Sequence, residues 1–299
     1  MPRHATLHLA LCTDRHHFVG VAPAIRSILA NTQHPPEGFS FHFVVGGGES
    51  DELLATVRGA FPAPRFRYQV AEFRASPFLD DYIRAGRDST YAEHASSVMN
   101  FSRFYLGDIY PEIGKFVYLD ADVIVQGDIA ELFREATLKH HDLAAVPFAT
   151  FGTWEDGFRP DWDLLRTFDP LAPVFNCGVY VTDLAKWRRA VPELERWMRI
   201  HRQSMESCVF GTQSIMNLAF YRNVEVLSPE WNVGPLGYDE NLPEQALKGA
   251  NILHWAGQRK PWKADGLYRE YWKPYAASPR DGGPAARPRA TPTPARDRL

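Results

Sequence analysis

Two carboxylates one residue apart, Asp120 and Asp122, stand between two short apolar segments of the chain. Residues 115–119 (KFVYL) precede them and residues 123–125 (VIV) follow. Apolar runs of this length predict buried β-strands, and carboxylates are rarely buried unless they are paired or bound to metal. The pattern therefore indicates a site for a divalent cation. The alternative interpretation is a pair of solvated acids in a strand-to-helix turn, with Asp128 capping the helix that follows.

A histidine, a glycine and a lysine follow a second apolar segment, residues 252–253. They are His254, Gly257 and Lys260, within the sequence His-Trp-Ala-Gly-Gln-Arg-Lys-Pro-Trp. Imidazole is a common ligand for borderline cations such as Mn²⁺, and an ammonium group beside a glycine suits diphosphate oxygens. A lone histidine is more often a core or surface residue, but the Gly-x-x-Lys-Pro-Trp that follows makes this signal far more specific.

The elements that position these side chains are alternating strands and helices. Apolar runs predict strands at residues 7–12, 39–45, 66–70, 143–148, 174–181 and 252–254, and helical spacing predicts helices at residues 19–30, 52–61, 97–110, 184–202 and 212–220. This alternation predicts right-handed crossovers and a mainly parallel sheet, in which ligands bind beyond the carboxyl ends of the strands. Cys12, Thr13 and Asp14 lie at one such end and Asp120 at another, so we expect a shared pocket.

Arg103 and Asn176 are further candidates for this pocket. Arg103 lies midway along the predicted helix 97–110 and is either a solvated or salt-bridged side chain or one that reaches a phosphate or sugar oxygen. Asn176 and Gly178 interrupt the strand at 174–181, where a buried amide needs partners and a glycine often marks a close approach to a ligand. The aromatic loop 151–158, with Trp162 beyond it, suits either a carbohydrate face or a lid packed on its own core.

The composition excludes several classes of protein. With 299 residues and 45% hydrophobic content, the chain can bury a large core, and we interpret residues 1–276 as a single α/β domain. The net charge of −3 argues against nucleic-acid binding. No apolar run has transmembrane length and the first residues lack signal-peptide features, so we predict a cytoplasmic protein. Cys12, Cys177 and Cys208 are odd in number and far apart, which favours reduced thiols over disulfides or a zinc site.

Taken together, these motifs resemble glycosyltransferase family 8. They occur in the family's order between about residues 7 and 272: Cys12-Thr13-Asp14, Arg103, Leu119-Asp120-Ala121-Asp122, Phe175-Asn176-Cys177-Gly178, Gln213-x-Ile215-x-Asn217 and His254-Trp255-x-Gly257-x-x-Lys260-Pro261-Trp262. The resemblance implies a GT-A fold, which is α/β with a Rossmann-like, mixed but mainly parallel sheet and helices on both faces. It also implies a retaining transferase that takes a hexose from a UDP-linked donor, UDP-galactose or UDP-glucose, with Mn²⁺ or Mg²⁺ as cofactor.

The resemblance also implies roles for individual residues. Asp120, Asp122 and His254 match the metal ligands. The predicted donor-binding residues are Cys12, Thr13, Asp14, Arg103, Asp120, Ala121, Asp122, His254, Gly257 and Lys260, with Thr13 and Asp14 matching uridine contacts and Gly257 and Lys260 matching diphosphate contacts. The predicted catalytic residues, around the donor sugar, are Arg103, Asn176, Thr212 and Gln213.

One segment departs from the family pattern. Where the family usually has Asp-Gln-Asp, this chain has Thr212-Gln213-Ser214, so both carboxylates are missing. A threonine can still hydrogen-bond to the donor sugar, but it carries no charge to favour an oxocarbenium-like transition state. A donor other than UDP-galactose or UDP-glucose is therefore compatible with the sequence.

Three functions are open at this point. The first is a transferase that acts on a lipopolysaccharide or other lipid-linked sugar, another glycan or a protein. The second is a nucleotide-sugar hydrolase, and the third is a catalytically weak carbohydrate-binding protein on the same fold. The intact metal and diphosphate motifs argue against the third, and the sequence predicts neither the acceptor nor the oligomeric state.

Residues 277–299 form a tail rich in Pro, Ala and Arg. Such a composition is typical of a disordered segment, because it cannot bury a core. Since lipid-acceptor members of the family often dock on membranes through basic C-terminal ends, weak attraction to anionic lipid at the inner face of the cell membrane is a hypothesis. A plain solvated tail is the alternative, because aromatic and apolar anchors are absent.

Overall fold

The computed structural model describes residues 6–87, 97–147, 152–154, 158, 163–203 and 211–276. The chain begins with β1 (Leu7–Cys12), α1 (Phe18–Asn31), β2 (Phe39–Gly46), α2 (Ser50–Ala60), β3 (Arg67–Phe73), α3 (Pro77–Arg87), α4 (Val98–Ser102), α5 (Leu106–Ile109), β4 (Lys115–Leu119), β5 (Val123–Val125) and α6 (Ile129–Glu135). It continues with β6 (Leu143–Pro147), β7 (Phe175–Asp183), α7 (Leu184–His201), α8 (Thr212–Ala219), β8 (Val224–Val226), α9 (Glu244–Gly249), β9 (Ile252–His254) and α10 (Arg269–Ala276).

The central sheet has seven strands in the order β3-β2-β1-β4-β7-β6-β8. β1 pairs in parallel with β2 and β4, β2 with β3, and β6 with β8, whereas β7 is antiparallel to β4 and β6. The sheet is mixed and mainly parallel, which confirms the fold class predicted from the alternation of strands and helices. β1, β2 and β4 end on the same side of the sheet, where ligands bind in folds of this kind.

Two hydrophobic clusters cover the two faces of the sheet, because successive side chains of a strand point to opposite faces. Leu9 of β1 belongs to the cluster that contains Ile25 of α1. Its neighbour Ala10 belongs to the cluster that contains Trp187 of α7. Helices therefore pack on both faces, as predicted.

A second, two-stranded sheet joins parts of the chain that are far apart in sequence. β5 pairs antiparallel with β9, so that Val123 lies opposite His254. The backbone N–H of Trp255 donates to the carbonyl of Asp122 (2.9 Å). Since β5 begins directly after Asp122, this pairing brings His254 beside the two carboxylates that follow β4.

Residues 97–110 do not form the single helix that their spacing predicted. The structure has α4, a 3-10 turn (Arg103–Tyr105) and α5 in its place. The indole N–H of Trp187 donates to the carbonyls of Arg103 and Phe104, at 3.0 Å in both cases. At the point where the helix breaks, a side chain from α7 therefore bonds to carbonyls that a continuous helix would bond to its own N–H groups.

The aromatic loop packs on the protein's own core where the structure describes it. Trp154 and Phe158 are each 3% exposed, and the ring of Trp154 stacks on Phe158 and Phe168 at centroid distances of 4.6 and 4.4 Å. For these residues the structure favours the packed lid over the carbohydrate face. Phe151 and Trp162 lie outside the described residues.

Several predictions concern segments or properties that the structure tests only in part. Residues 277–299 lie outside the described residues, so the disorder and lipid contact of the tail stay predictions, as does the single domain over residues 1–276. Within the described ranges, no helix combines the length and the apolar character that crossing a membrane requires. Cys12 and Cys177 are buried free thiols, as predicted, and Cys208 is not among the described residues.

Two histidines and a glutamine form a hydrogen-bonded row across β1, β2 and β3. Gln69 Nε2 donates to His42 Nδ1 (2.6 Å), so a neutral His42 carries its proton on Nε2 and donates it to His8 Nδ1 (2.9 Å). Burial, with smaller contributions from the charges of His8 and Arg67, lowers the pKa of His42 to about 3. The row therefore requires uncharged imidazoles.

We expect this row to make the protein less stable in acid. Because the pKa of His42 in the folded protein, about 3, lies below its ordinary value of 6.5, the unfolded chain binds more protons between these values. Stability is therefore lost as the pH falls from 6.5 towards 3. Between pH 7 and pH 5, His42 should account for about 2 kcal/mol of the lost unfolding free energy.

Urea denaturation of His42→Gln at these two pH values should show a smaller loss than the wild type shows. The matched control is His140→Gln, at an exposed position, which should lose as much stability as the wild type. Equal losses in all three proteins would contradict the role of His42.

Candidate active site

A cleft of about 990 Å³ lies at the carboxyl ends of β1 and β4. Every residue of the predicted site lines it: Cys12, Thr13, Asp14, Arg103, Asp120, Ala121, Asp122, Asn176, Thr212, Gln213, His254, Gly257 and Lys260. The fold therefore gathers these residues from separate segments of the chain. Their individual roles stay predictions.

The metal-ligand candidates Asp120, Asp122 and His254 form a close triad. One ligand atom from each lies within 4.8 Å of the others. His254 Nε2 is 3.7 Å from Asp120 Oδ2 and 3.6 Å from Asp122 Oδ1. These separations are too long for hydrogen bonds, but they suit ligand atoms arranged around one cation. Asp122 and His254 are buried and Asp120 is half-buried, so the sequence-based alternative of solvated acids does not apply.

Arg103 holds Asp120 in place. Its Nη2 donates to Asp120 Oδ1 (3.1 Å), which also accepts from the hydroxyl of Tyr118 (3.0 Å). The guanidinium also donates to the carbonyls of Cys177 (2.8 Å) and Asn100 (2.9 Å). Burial opposes the charge, but the Asp120 carboxylate, together with the neighbouring phenols and the Cys177 thiol, outweighs burial and raises the pKa of Arg103 well above its ordinary value. Arg103 is therefore a buried salt-bridge partner, and its contact with the donor stays a prediction.

Lys260 lies on the second carboxylate of the triad. Its Nζ donates to Asp122 Oδ2 and to the carbonyl of Trp255, the latter at 2.8 Å. Burial opposes ionisation of Asp122, but the charge and hydrogen bond of Lys260, together with the neighbouring imidazole of His254, outweigh burial and hold the pKa of this carboxyl well below its usual range. Asp122 is thus an anion whose Oδ1 faces the imidazole. The predicted contact of Lys260 with a diphosphate stays a prediction.

The absence of a side chain at Gly178 makes room for two members of the triad. A Cβ atom at this position would lie 2.2 Å from His254 Cε1 and 2.7 Å from Asp120 Oδ2, well inside van der Waals contact. The glycine that was predicted to mark a close approach lets β7 pass directly beside two of the ligand candidates. Two carboxylates and an imidazole around a space kept free of a side chain fit a divalent cation.

A row of hydrogen-bonded amides connects His254 with the predicted catalytic residues. His254 Nδ1 is 3.0 Å from Asn232 Oδ1, and Asn232 Nδ2 donates to Asn176 Oδ1 (2.9 Å). Asn176 Nδ2 in turn donates to Gln213 Oε1 (3.0 Å). The buried amide of Asn176 thus has the partners that its position in a strand required.

Asp14 and His17 form an ion pair after the end of β1. His17 Nδ1 donates to Asp14 Oδ1 (2.8 Å), which also accepts from the backbone N–H of His16 (3.0 Å). The hydrogen bond to Asp14 raises the pKa of His17, and the charge of Asp122 adds to this effect. Burial opposes ionisation of Asp14, but the hydrogen bond and charge of His17 outweigh it and lower its pKa. The pair thus places an imidazole with a raised pKa just beyond the end of β1, among the residues that line the cleft.

Sequence reasoning missed several residues around the cleft. His16, His17, Asn100, Tyr238, Gln258 and Lys263 line it, and Asn232 contacts His254. The polar run 13–17 directly after a parallel strand was a signal for the two histidines, because such positions face the ligand crevice. Asn232 has no such signal, since it stands in a 3-10 turn (Pro229–Asn232) outside every motif.

Comparison with known sequences identifies the family. The model of glycosyl transferase family 8 matches residues 8–266. A probable galacturonosyltransferase-like protein of Arabidopsis thaliana, number 10 of its series, is 30% identical over 269 residues, which are 86% of this chain and 71% of the plant protein.

Two solved structures share the fold. The galactosyltransferase LgtC, in complex with donor and acceptor sugar analogues, has a TM-score of 0.66 at 19% identity over 90% of this chain and 95% of LgtC. The bifunctional glycosyltransferase WbbM has a TM-score of 0.67 at 19% identity over 93% of this chain, which spans 50% of WbbM. At such low identity these structures establish the GT-A fold alone, whereas the sequence match establishes the enzyme class. The chain therefore belongs to glycosyl transferase family 8 and is a glycosyltransferase with the GT-A fold.

Proposed function

We propose that the protein is a retaining, metal-dependent glycosyltransferase that transfers a sugar from a UDP-linked donor to a glycan, a lipid-linked sugar such as lipopolysaccharide, or a protein. The observation that carries this proposal is the convergence of Asp120, Asp122 and His254 with Lys260 and Gln213 in one cleft. Mn²⁺ is the proposed cation, with Mg²⁺ as a substitute. The cytoplasm is the proposed location.

The chain's own residues bind and orient the donor in this proposal. We assign Lys260 and the backbone at Gly257 to the diphosphate, and Thr13 and Asp14 to the uridine. Gln213 is assigned to the donor sugar together with its hydrogen-bonded neighbours. The chemistry that a bound divalent cation supplies is Lewis-acid stabilisation of the charge that grows on the leaving diphosphate.

The state of the carboxylates argues against a covalent intermediate in the proposed retaining reaction. Among the described residues that line the cleft, the carboxylates are Asp14, Asp120 and Asp122, and each contacts a basic side chain. A double displacement needs a carboxylate nucleophile beside the sugar, and none of these three is free to serve as one. The proposed route is therefore a front-face reaction, in which the leaving phosphate accepts the proton of the acceptor hydroxyl while the new bond forms on the same face.

Two observations bear on the sugar that the donor carries. The family resemblance favours UDP-galactose or UDP-glucose, whereas the plant relatives are named galacturonosyltransferase-like. A galacturonate carries a carboxylate that an acid at position 212 or 214 would repel. Because Thr212, which lines the cleft, is neutral, UDP-galacturonate is a second candidate donor.

UDP release over a panel of donors tests the proposal. The panel contains UDP-galactose, UDP-glucose and UDP-galacturonate, each with Mn²⁺ or with EDTA, and with or without sugar acceptors. We expect one donor to be consumed only in the presence of metal and faster with an acceptor, and the anomeric proton of the product to show retention by NMR. Restoring Mn²⁺ after EDTA treatment is the control for reversible metal removal.

Other outcomes of this panel separate the remaining functions. Metal-dependent release of free sugar that no acceptor accelerates would favour the hydrolase. Binding of a UDP-sugar without turnover would favour the carbohydrate-binding alternative. A protein that neither binds nor consumes any UDP-sugar would contradict the proposed function.

A further inference from the structure

We propose that Asn232 is a positioning residue that fixes the imidazole of His254 for metal binding and ties it to the residues at the donor sugar. The inference rests on the proposed function, because it concerns the same metal site. Asn232 belongs to none of the sequence motifs, and its side chain is half-buried between His254 and Asn176. Asn232 accepts one hydrogen bond, from His254, and donates another, to Asn176.

The orientation of the Asn232 amide selects one tautomer of His254. Asn232 Nδ2 donates to Asn176 Oδ1 (2.9 Å), so the amide oxygen Oδ1 is the atom that faces the histidine. That oxygen is 3.0 Å from His254 Nδ1 and can only accept, so Nδ1 must carry the proton. The lone pair of a neutral His254 is then on Nε2, the atom that faces Asp120 and Asp122 at 3.7 and 3.6 Å.

The backbone holds Asn232 in register with His254. The N–H of Val233, the next residue, donates to the carbonyl of Ile252 (2.9 Å), and the N–H of His254 donates to the carbonyl of Val233 (2.9 Å). The turn that carries Asn232 is therefore hydrogen-bonded, through the residue that follows it, to β9, the strand that ends in His254. A change at Asn232 should act on the orientation of the imidazole more than on the path of the strand.

The hydrogen bond from Asn232 to Asn176 connects His254 with the residues assigned to the donor sugar. Asn176 Oδ1 accepts from Asn232 and from the backbone N–H of Gly178 (2.9 Å), which leaves the Asn176 amide nitrogen for Gln213 (3.0 Å). Only a residue with one acceptor and one donor on a short side chain completes both contacts. An aspartate at position 232 would keep the contact to His254 and lose the donation to Asn176.

The tautomer can be measured directly, without metal or substrate. Long-range ¹⁵N–¹H correlation spectra of the imidazole rings should show His254 protonated on Nδ1, with His254→Gln identifying its signals among those of the 11 histidines. Asn232→Ala should shift His254 towards the Nε2-protonated form and weaken Mn²⁺ binding about 10-fold or more, as loss of a partner of a metal-binding histidine does. Mn²⁺ affinity is read by EPR titration in the absence of donor.

Two further variants sharpen the test. Asn223→Ala is the matched control, because Asn223 is also half-buried and links two segments by donating to Asp142 (2.9 Å). It should leave the tautomer and the Mn²⁺ affinity unchanged. Asn232→Asp should keep the Nδ1-protonated tautomer and most of the Mn²⁺ affinity, while raising the KM for the donor through the lost bond to Asn176.

Two results would overturn the proposal. The first is a wild-type protein in which His254 is protonated on Nε2, a measurement that requires no variant. The second is an Asn232→Ala protein that keeps both the Nδ1-protonated tautomer and the Mn²⁺ affinity. These outcomes differ from failure of the proposed function. A protein without UDP-sugar turnover can still show the tautomer and its dependence on Asn232, and a protein that turns over UDP-sugars can lack them.

Discussion

Asp122→Asn is expected to abolish metal-dependent UDP-sugar turnover, with a loss of at least about a thousandfold in kcat/KM. The substitution removes an anion that is 7% exposed and that faces both His254 Nε2 and the ammonium of Lys260. Without its charge, the triad has one carboxylate fewer to attract a divalent cation, and Lys260 loses its ion pair with Asp122. Turnover and Mn²⁺ affinity should therefore fall together, as measured by UDP release and EPR titration.

A neighbouring aspartate provides the control for this substitution. Asp128 follows β5 and caps α6, with its Oδ1 accepting from the N–H of Ala130 (3.0 Å), and it lies outside the cleft lining. Since asparagine also caps helices well, Asp128→Asn should keep both turnover and metal affinity. Near-normal activity in Asp122→Asn would contradict the metal assignment.

Gly178→Ala is expected to disrupt the metal site with a single added methyl group. The new Cβ would meet His254 Cε1 at 2.2 Å and Asp120 Oδ2 at 2.7 Å, so at least one of these two side chains must move. Because the three ligand atoms must be placed accurately around one cation, we expect Mn²⁺ affinity and turnover to fall by about a hundredfold or more. Circular dichroism and thermal unfolding show whether the fold is kept.

Gly59→Ala is the matched control for the added methyl group. Gly59 lies in α2, and a Cβ there meets no atom within 4 Å. Alanine favours a helix more than glycine does, so this variant should be fully active and slightly more stable. If Gly178→Ala bound Mn²⁺ as tightly as Gly59→Ala, the space beside His254 would have no importance for the site.

The sequence predicted the parts of this enzyme that repeat a local pattern. Apolar runs of strand length and helical spacing predicted the mainly parallel sheet, and polar residues at strand ends predicted where the cleft would lie. Asp120, Asp122 and His254 were recognisable because carboxylates and an imidazole next to buried strands need a physical reason to be there. The proximity of His254 to the two acids followed from the family resemblance, since no local pattern reveals the β5–β9 pairing.

The sequence could not predict features that depend on tertiary contacts. Helical spacing at residues 97–110 gave no sign that the helix would be interrupted where the indole of Trp187 bonds to two of its carbonyls. The same break accompanies the burial of Arg103 against Asp120, a salt bridge that was one of several alternatives for this side chain and whose partner the sequence did not name. The sequence analysis did not identify Asn232, because its proposed role depends on which partner it donates to and which it accepts from. Only the folded structure shows these two partners.

The β5–β9 pairing has a consequence for biosynthesis. A chain leaves the ribosome from its N-terminus and its domains begin to fold as they emerge. Strands β1 to β7 and both aspartates of the triad are synthesised long before His254, which enters only with β9. A nascent chain that already contains every strand of its central sheet still lacks the candidate nitrogen ligand, so the complete candidate site can arise only after all of that sheet has been synthesised.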